Sequence, residues 1–105
     1  MVSQERAANT ALSKVPNVTR FQVNRQGRAI ALTWSAVAGL GKFHVERSYD
    51  GKFFEVIEEI ENTGACVYTC SEENMPSGYV YYRICSVDIN NKEQWQSAEE
   101  VVRIL

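Results

Sequence analysis

The chain has one histidine, two prolines and three cysteines in 105 residues, and each scarcity removes a class of chemistry. A lone imidazole with no Cys or carboxylate at metal-ligand spacing is not a zinc site, so His44 is read as a surface residue. Acid–base catalysis needs a partnered base and an orienting group; any Ser-His-Asp set would have to run through His44. No Gly-x-Ser-x-Gly elbow and no Gly-rich phosphate cradle is present. Calcium wants about six to eight oxygens from a spaced loop. The acidic groups Glu58-Glu59-Ile60-Glu61, Glu72-Glu73 and Glu99-Glu100 lack that spacing and read as solvated, edge-protecting faces. The expectation is a protein with no catalytic residues, no metal and no cofactor.

Charge of one sign is also missing. Eleven basic residues against thirteen acidic ones leave a net charge of -2, which argues against nucleic-acid binding by clustered Lys and Arg. The apolar runs are only a few residues long, too short for a transmembrane helix. The first fourteen residues, Met1 to Lys14, contain no apolar segment of signal-peptide type. The chain is therefore either cytosolic or begins after a removed leader. Residues 1–15 are polar and rich in Ala and Ser, which predicts a flexible tail or linker remnant ahead of one domain over 16–105. An odd number of cysteines leaves at least one free thiol in a monomer. Cys66 and Cys70 on one strand would stand about 13 Å apart, beyond the roughly 7 Å reach of a disulfide. Both read as small buried hydrophobes. Strand parity turns Cys85 away from the core and makes it the thiol expected to react first.

What the sequence does have is a period of two. Ile30, Leu32 and Trp34 alternate with Ala29, Ala31 and Thr33; Val80, Tyr82 and Ile84 alternate with Tyr81, Arg83 and Cys85. Phe43 and Val45 flank His44 in the same way, and further strands are predicted at Val18–Val23, Cys66–Cys70 and Glu100–Leu105. The stretch Phe53–Ile60 fits both a helical face and a strand. Its β-branched content and the Asp50-Gly51 turn before it favour the strand. Gly27 and Asn90-Asn91 supply the other turns. The sum is an all-β sandwich of about seven antiparallel strands in two sheets, with Leu32, Trp34, Phe43, Val45, Tyr82 and Ile84 in the core. Phe54 and Tyr68 are expected to join them.

The order of Leu32-Thr33-Trp34, Phe43-His-Val-Glu-Arg-Ser-Tyr-Asp-Gly51, Phe54, Tyr81-Tyr-Arg-Ile84 and Val87-Asp88 resembles a fibronectin type III domain. It is similar to modules of large secreted proteins of Bacteroidetes-type bacteria, over roughly residues 16–105. The chain departs from the pattern at Val80, where many members carry a tyrosine-corner Tyr, and at Asn90-Asn91, where a Gly is frequent. The resemblance implies an immunoglobulin-like sandwich, an extracellular or cell-surface location, and a role as spacer or protein-interaction module. Partners would be other domains or proteins. The Arg-Gly-Asp tripeptide of integrin-binding members is absent. Tyr49, Phe53, Tyr79, Tyr81 and Trp95 are the aromatics left for the surface, and a flat row of them would stack against a polysaccharide or a partner. Tyr81 and Trp95 become neighbours on one face if the last strands form a hairpin.

Overall fold

The fold comes from a computed structural model that describes residues 18–39 and 41–105. The predicted tail over residues 1–15 lies outside the described residues. The described chain is all-β and contains no helix. β1 (Val18–Gln26), β2 (Ala29–Ala36) and β5 (Tyr68–Glu72) form one antiparallel sheet in the order β1-β2-β5. β3 (Lys42–Ser48), β4 (Glu55–Glu61), β6 (Gly78–Val87), β7 (Glu93–Gln96) and β8 (Glu100–Ile104) form the other. Its order is β4-β3-β6-β7, with β8 on the same edge of β6 as β7 but nearer the start of that strand.

Two sheets are needed because each buries one face. Ile30, Leu32 and Trp34 on β2 point at Phe43 and Val45 on β3 and at Val80, Tyr82 and Ile84 on β6, and all are fully buried. The Trp34 ring stacks on Tyr68 at 5.9 Å and meets Phe43 edge-on at 5.9 Å, while Phe43 and Tyr68 approach to 4.8 Å. Rings of this size each bury some 150–250 Å², which makes this trio the heaviest joint between the sheets. The indole Nε1 of Trp34 is buried with no hydrogen-bond partner, so packing alone holds the ring.

The structure moves several expected positions. Among the described residues eight strands form, against the about seven expected, because Glu93–Gln96 adds to β6 as β7. A break at Ser97 separates it from β8: Ser97 N–H donates to Ile84 O at 2.9 Å, and Ser97 Oγ accepts from Ile84 N–H at 2.9 Å. The fifth strand starts at Tyr68 rather than Cys66, which leaves Cys66 exposed in the preceding loop and Cys70 only half-buried. The stretch 53–60 resolves as the edge strand β4, with Ile57 and Ile60 turned to the core and a bulge between Val45 and Glu46 in its pairing. Phe54 precedes that strand and sits outside the core, with the Arg83 guanidinium 3.9 Å above its ring.

Cys85 is the largest correction. Its parity is as expected, since its register partners His44 and Gln96 belong to the outer face. It is nevertheless 1% exposed. β6 is an interior strand, and Glu46, Glu93 and Gln96 from its neighbours close over the thiol. Burial then pushes the Cys85 thiol well above its ordinary range, with a hydrogen bond to Glu93 adding to the effect.

Candidate recognition surface

The turn joining β3 to β4 is built by two short side chains. Ser48 Oγ is buried at the end of β3 and accepts from Gly51 N–H at 2.8 Å and from Asp50 N–H at 3.2 Å. Asp50 Oδ1 accepts from Lys52 N–H at 2.8 Å, from Phe53 N–H at 2.9 Å and from the Ser48 hydroxyl at 2.8 Å. Donors converging on one carboxylate favour its ionised form. The N–H groups of Phe53 and Lys52 thus hold Asp50 down to about 2. Gly51 has φ +78, and a Cβ there would stand 3.1 Å from the Tyr81 ring. No other residue meets both conditions without strain.

That rigid turn presents Phe53, 81% exposed, and Tyr49, 51% exposed. Between them and β4 runs an open cleft of about 370 Å³ lined by Arg47, Tyr49, Asp50, Phe53, Phe54 and Glu55. Arg47 is the polar floor of this region. It donates to Glu55 on β4 and to Glu72 on β5, and its guanidinium lies 4.9 Å over the Tyr49 ring. Glu72 in turn accepts from the Tyr82 hydroxyl at 2.7 Å. Arg47, Glu72 and Tyr82 thereby form a polar clamp between the two sheets.

The five aromatics singled out from the sequence do not form a row. Tyr79 is exposed, and Tyr81 is half-buried on the same outer face of β6, opposite Val101 of β8 and packed over Gly51. Tyr49 belongs to the turn beside them. Trp95 pairs with Ser86, which has the parity of Tyr82 and Ile84, so it faces inward and packs on the core. Opposite partners in an antiparallel pair share a face. Tyr81 and Trp95 are therefore on opposite faces and are not neighbours.

Elsewhere the surface divides by sheet. The outer face of β1-β2-β5 presents Gln22, Asn24, Ala31, Thr33, Thr69 and Ser71, all uncharged. The outer face of the other sheet is charged, and several of its charged groups lie against each other. Glu46 accepts from Arg83 Nε at 2.7 Å, and Glu59 meets Lys42 Nζ at 3.3 Å and His44 Nε2 at 2.9 Å. His44 thus faces outward as its parity predicts, but it is half-buried beside Glu59. Burial also pushes the Cys70 thiol up to about 11, which leaves it unreactive at neutral pH. Sequence reasoning missed the clamp and the polar cover of Cys85. Their members lie tens of residues apart, and no local spacing marks them.

No protein-family model matches the chain, and no curated protein matches it. Among solved structures, the fold is similar to part of a β-1,2-glucanase from Parabacteroides distasonis, with a TM-score of 0.64 and 17% identity over 88% of this chain. The match spans 14% of the glucanase chain, so the likeness concerns the fold of one small portion of a much longer protein.

Proposed function

We propose that this chain is a fibronectin type III-like module of a larger secreted or cell-surface protein, acting as a non-catalytic spacer and protein-contact domain. The strand order β1-β2-β5 facing β4-β3-β6-β7/β8 supports the immunoglobulin-like reading, as does the ordered set of motifs in the sequence. A solved fold in which the matched part is a minor share of a long chain supports the reading as a module. The observation that carries the function is the contrast on the surface. Several charged groups of the other face lie against one another, while two aromatic rings stand exposed on a turn fixed by Ser48, Asp50 and Gly51. Preorganised aromatic side chains are efficient contact anchors, because they lose little entropy on binding. Binding of the flanking domains to Phe53→Ala and Tyr49→Ala variants tests this. Weakened association with an unchanged melting temperature supports it, and unchanged association refutes the contact role. Turnover of any polysaccharide by the isolated chain would refute the non-catalytic role.

A second reading rests on the cleft itself. Its volume is in the range of small-ligand sites, and it combines the Tyr49 and Phe53 rings with the Asp50 and Glu55 carboxylates. That combination suits a neutral sugar stacked on a ring and hydrogen-bonded at its edge. The fold likeness to a protein named as a β-1,2-glucanase makes β-1,2-glucan oligosaccharides the first probes for titration calorimetry. Saturable heat that disappears in Phe53→Ala favours glycan binding, and its absence leaves the protein-contact reading.

A further inference from the structure

Cys85 is the one fully buried cysteine of the three, and it is buried on the solvent side of its sheet. Its Sγ and one carboxylate oxygen each from Glu46 and Glu93 all lie within 4.8 Å of one another. A fourth donor atom, Gln96 Oε1, stands 3.9 Å from the sulfur. These four side chains come from three adjacent strands, β3, β6 and β7, so the sheet itself sets their spacing. We propose that Glu46, Cys85 and Glu93, with Gln96 as a fourth donor, bind a thiophilic divalent cation of the zinc class.

Three features support this site. The first is the donor set, a thiol with hard oxygens in a cluster of four, which suits a borderline-soft ion and not calcium or magnesium. The second is charge. Two carboxylates face a single guanidinium, Arg83, whose Nε is bonded to Glu46 at 2.7 Å. A divalent ion that takes the thiolate as ligand brings the group to neutrality. In that step the Cys85 S–H bond breaks, its proton passes to water, and the sulfur lone pair forms the metal bond. The third is placement. The sulfur is shielded and converges with the other donors, while exposed Glu93 leaves the ion a path from solvent. Zinc-bound sulfur and oxygen donors stand about 3.5 Å apart, so the two Glu side chains close on the ion by small rotations. His44 is the strand partner of Cys85, but its Nε2 lies 2.9 Å from Glu59 and is not among the clustered donor atoms, so the ligand set is sulfur and oxygen.

The test adds cadmium or zinc alone to the full chain. One cadmium per chain should bind with an ultraviolet thiolate-to-cadmium charge-transfer band, and zinc should raise the melting temperature. Cys85→Ser should abolish the band. Glu93→Gln, at an exposed position that spares the fold, should weaken binding by about tenfold or more. Cys66→Ser, which removes the exposed thiol, should leave both readouts unchanged. The proposal is overturned if the band survives Cys85→Ser or vanishes in Cys66→Ser. It is equally overturned if Glu93→Gln titrates like the parent, or if zinc leaves the melting temperature where it was.

Discussion

β3 and β5 are joined twice across the space between the sheets, by opposite kinds of chemistry. At one end Phe43 meets Tyr68, with Trp34 stacked on the tyrosine. Four residues along each strand, Arg47 meets Glu72, with Tyr82 bonded to the same carboxylate. The aromatic end gains from removing large apolar area from water, at about 25 cal/mol per Å². The ionic end must first desolvate two charges, and the return is small unless every donor and acceptor is matched. The lesson is that similar positions in one sandwich do different jobs. The rings supply stability, and the clamp fixes how the two sheets align at the end that carries the recognition turn.

Substitution at the two ends separates these jobs. Trp34→Ala opens the core and should cost about 3–5 kcal/mol, enough to unfold a marginal domain. Denaturant unfolding measures it, and a cost near zero would mean that the rings are not the main source of stability. Glu72→Ala comes second. It leaves Arg47 with Glu55 as its one carboxylate partner and the Tyr82 hydroxyl without its acceptor, and should cost about 1–3 kcal/mol. Replacing both ions together, as Arg47→Met with Glu72→Leu, should recover most of that loss. If the double replacement is worse than the single one, the clamp contributes net stability and the division of labour fails.

Acid sharpens the same contrast. Asp50 is held at about 2 against an ordinary 3.8, so its support of the turn is complete above the ordinary value. That support is lost as pH falls from there toward 2. Amide exchange at Lys52 and Phe53 should accelerate over that interval, while amides beside Trp34 stay protected; equal acceleration at both would contradict the argument. Thiol chemistry is a smaller probe. Cys66 should alkylate first and Cys85 last in the native state, and reductant should leave the melting temperature unchanged because all three cysteines are free. Phe53→Ala should have the least effect on stability, within about 0.5 kcal/mol, since the ring is exposed. A larger loss would place Phe53 among the structural residues.

The sheets are legible in the sequence wherever alternation is clean. β2, β3 and the middle of β6 each carry large apolar residues at every second position, and period and burial there have a single solution. Pattern alone starts the fifth strand two residues early, because Cys66-Val67 is as β-prone as Tyr68-Thr69, and only pairing with β2 sets its start at Tyr68. Parity gives Cys85 its correct face but not its exposure, which depends on the length of side chains reaching over from β3 and β7. The surface is less legible for a related reason. Tyr81 and Trp95 do not meet because Tyr81 pairs with Val101 of β8 while Trp95 pairs with Ser86, five residues further along β6 and on the other face, and neither partner is marked in the local sequence. The clamp and the thiol cluster join residues such as Arg47 and Glu72, or Glu46 and Glu93, whose proximity exists only once the strands are ordered.

The position of β6 has a kinetic consequence. β1 with β2, β3 with β4 and β6 with β7 are hairpins that form from neighbouring segments. Every other pairing waits: Ile30 for Glu72, Val45 for Ile84, and Val80 for Val102. Because β6 bonds to β3 on one side and to β7 and β8 on the other, it converts two loose hairpins into a closed sandwich, and it emerges late in the chain. Sandwiches dominated by such distant pairings fold in roughly milliseconds to seconds, because loop closure must be completed before burial rewards it. During synthesis, Val80, Tyr82 and Ile84 therefore complete the core only once that late strand has emerged. The glutamates of β4, at positions 55, 58, 59 and 61, keep that waiting edge soluble.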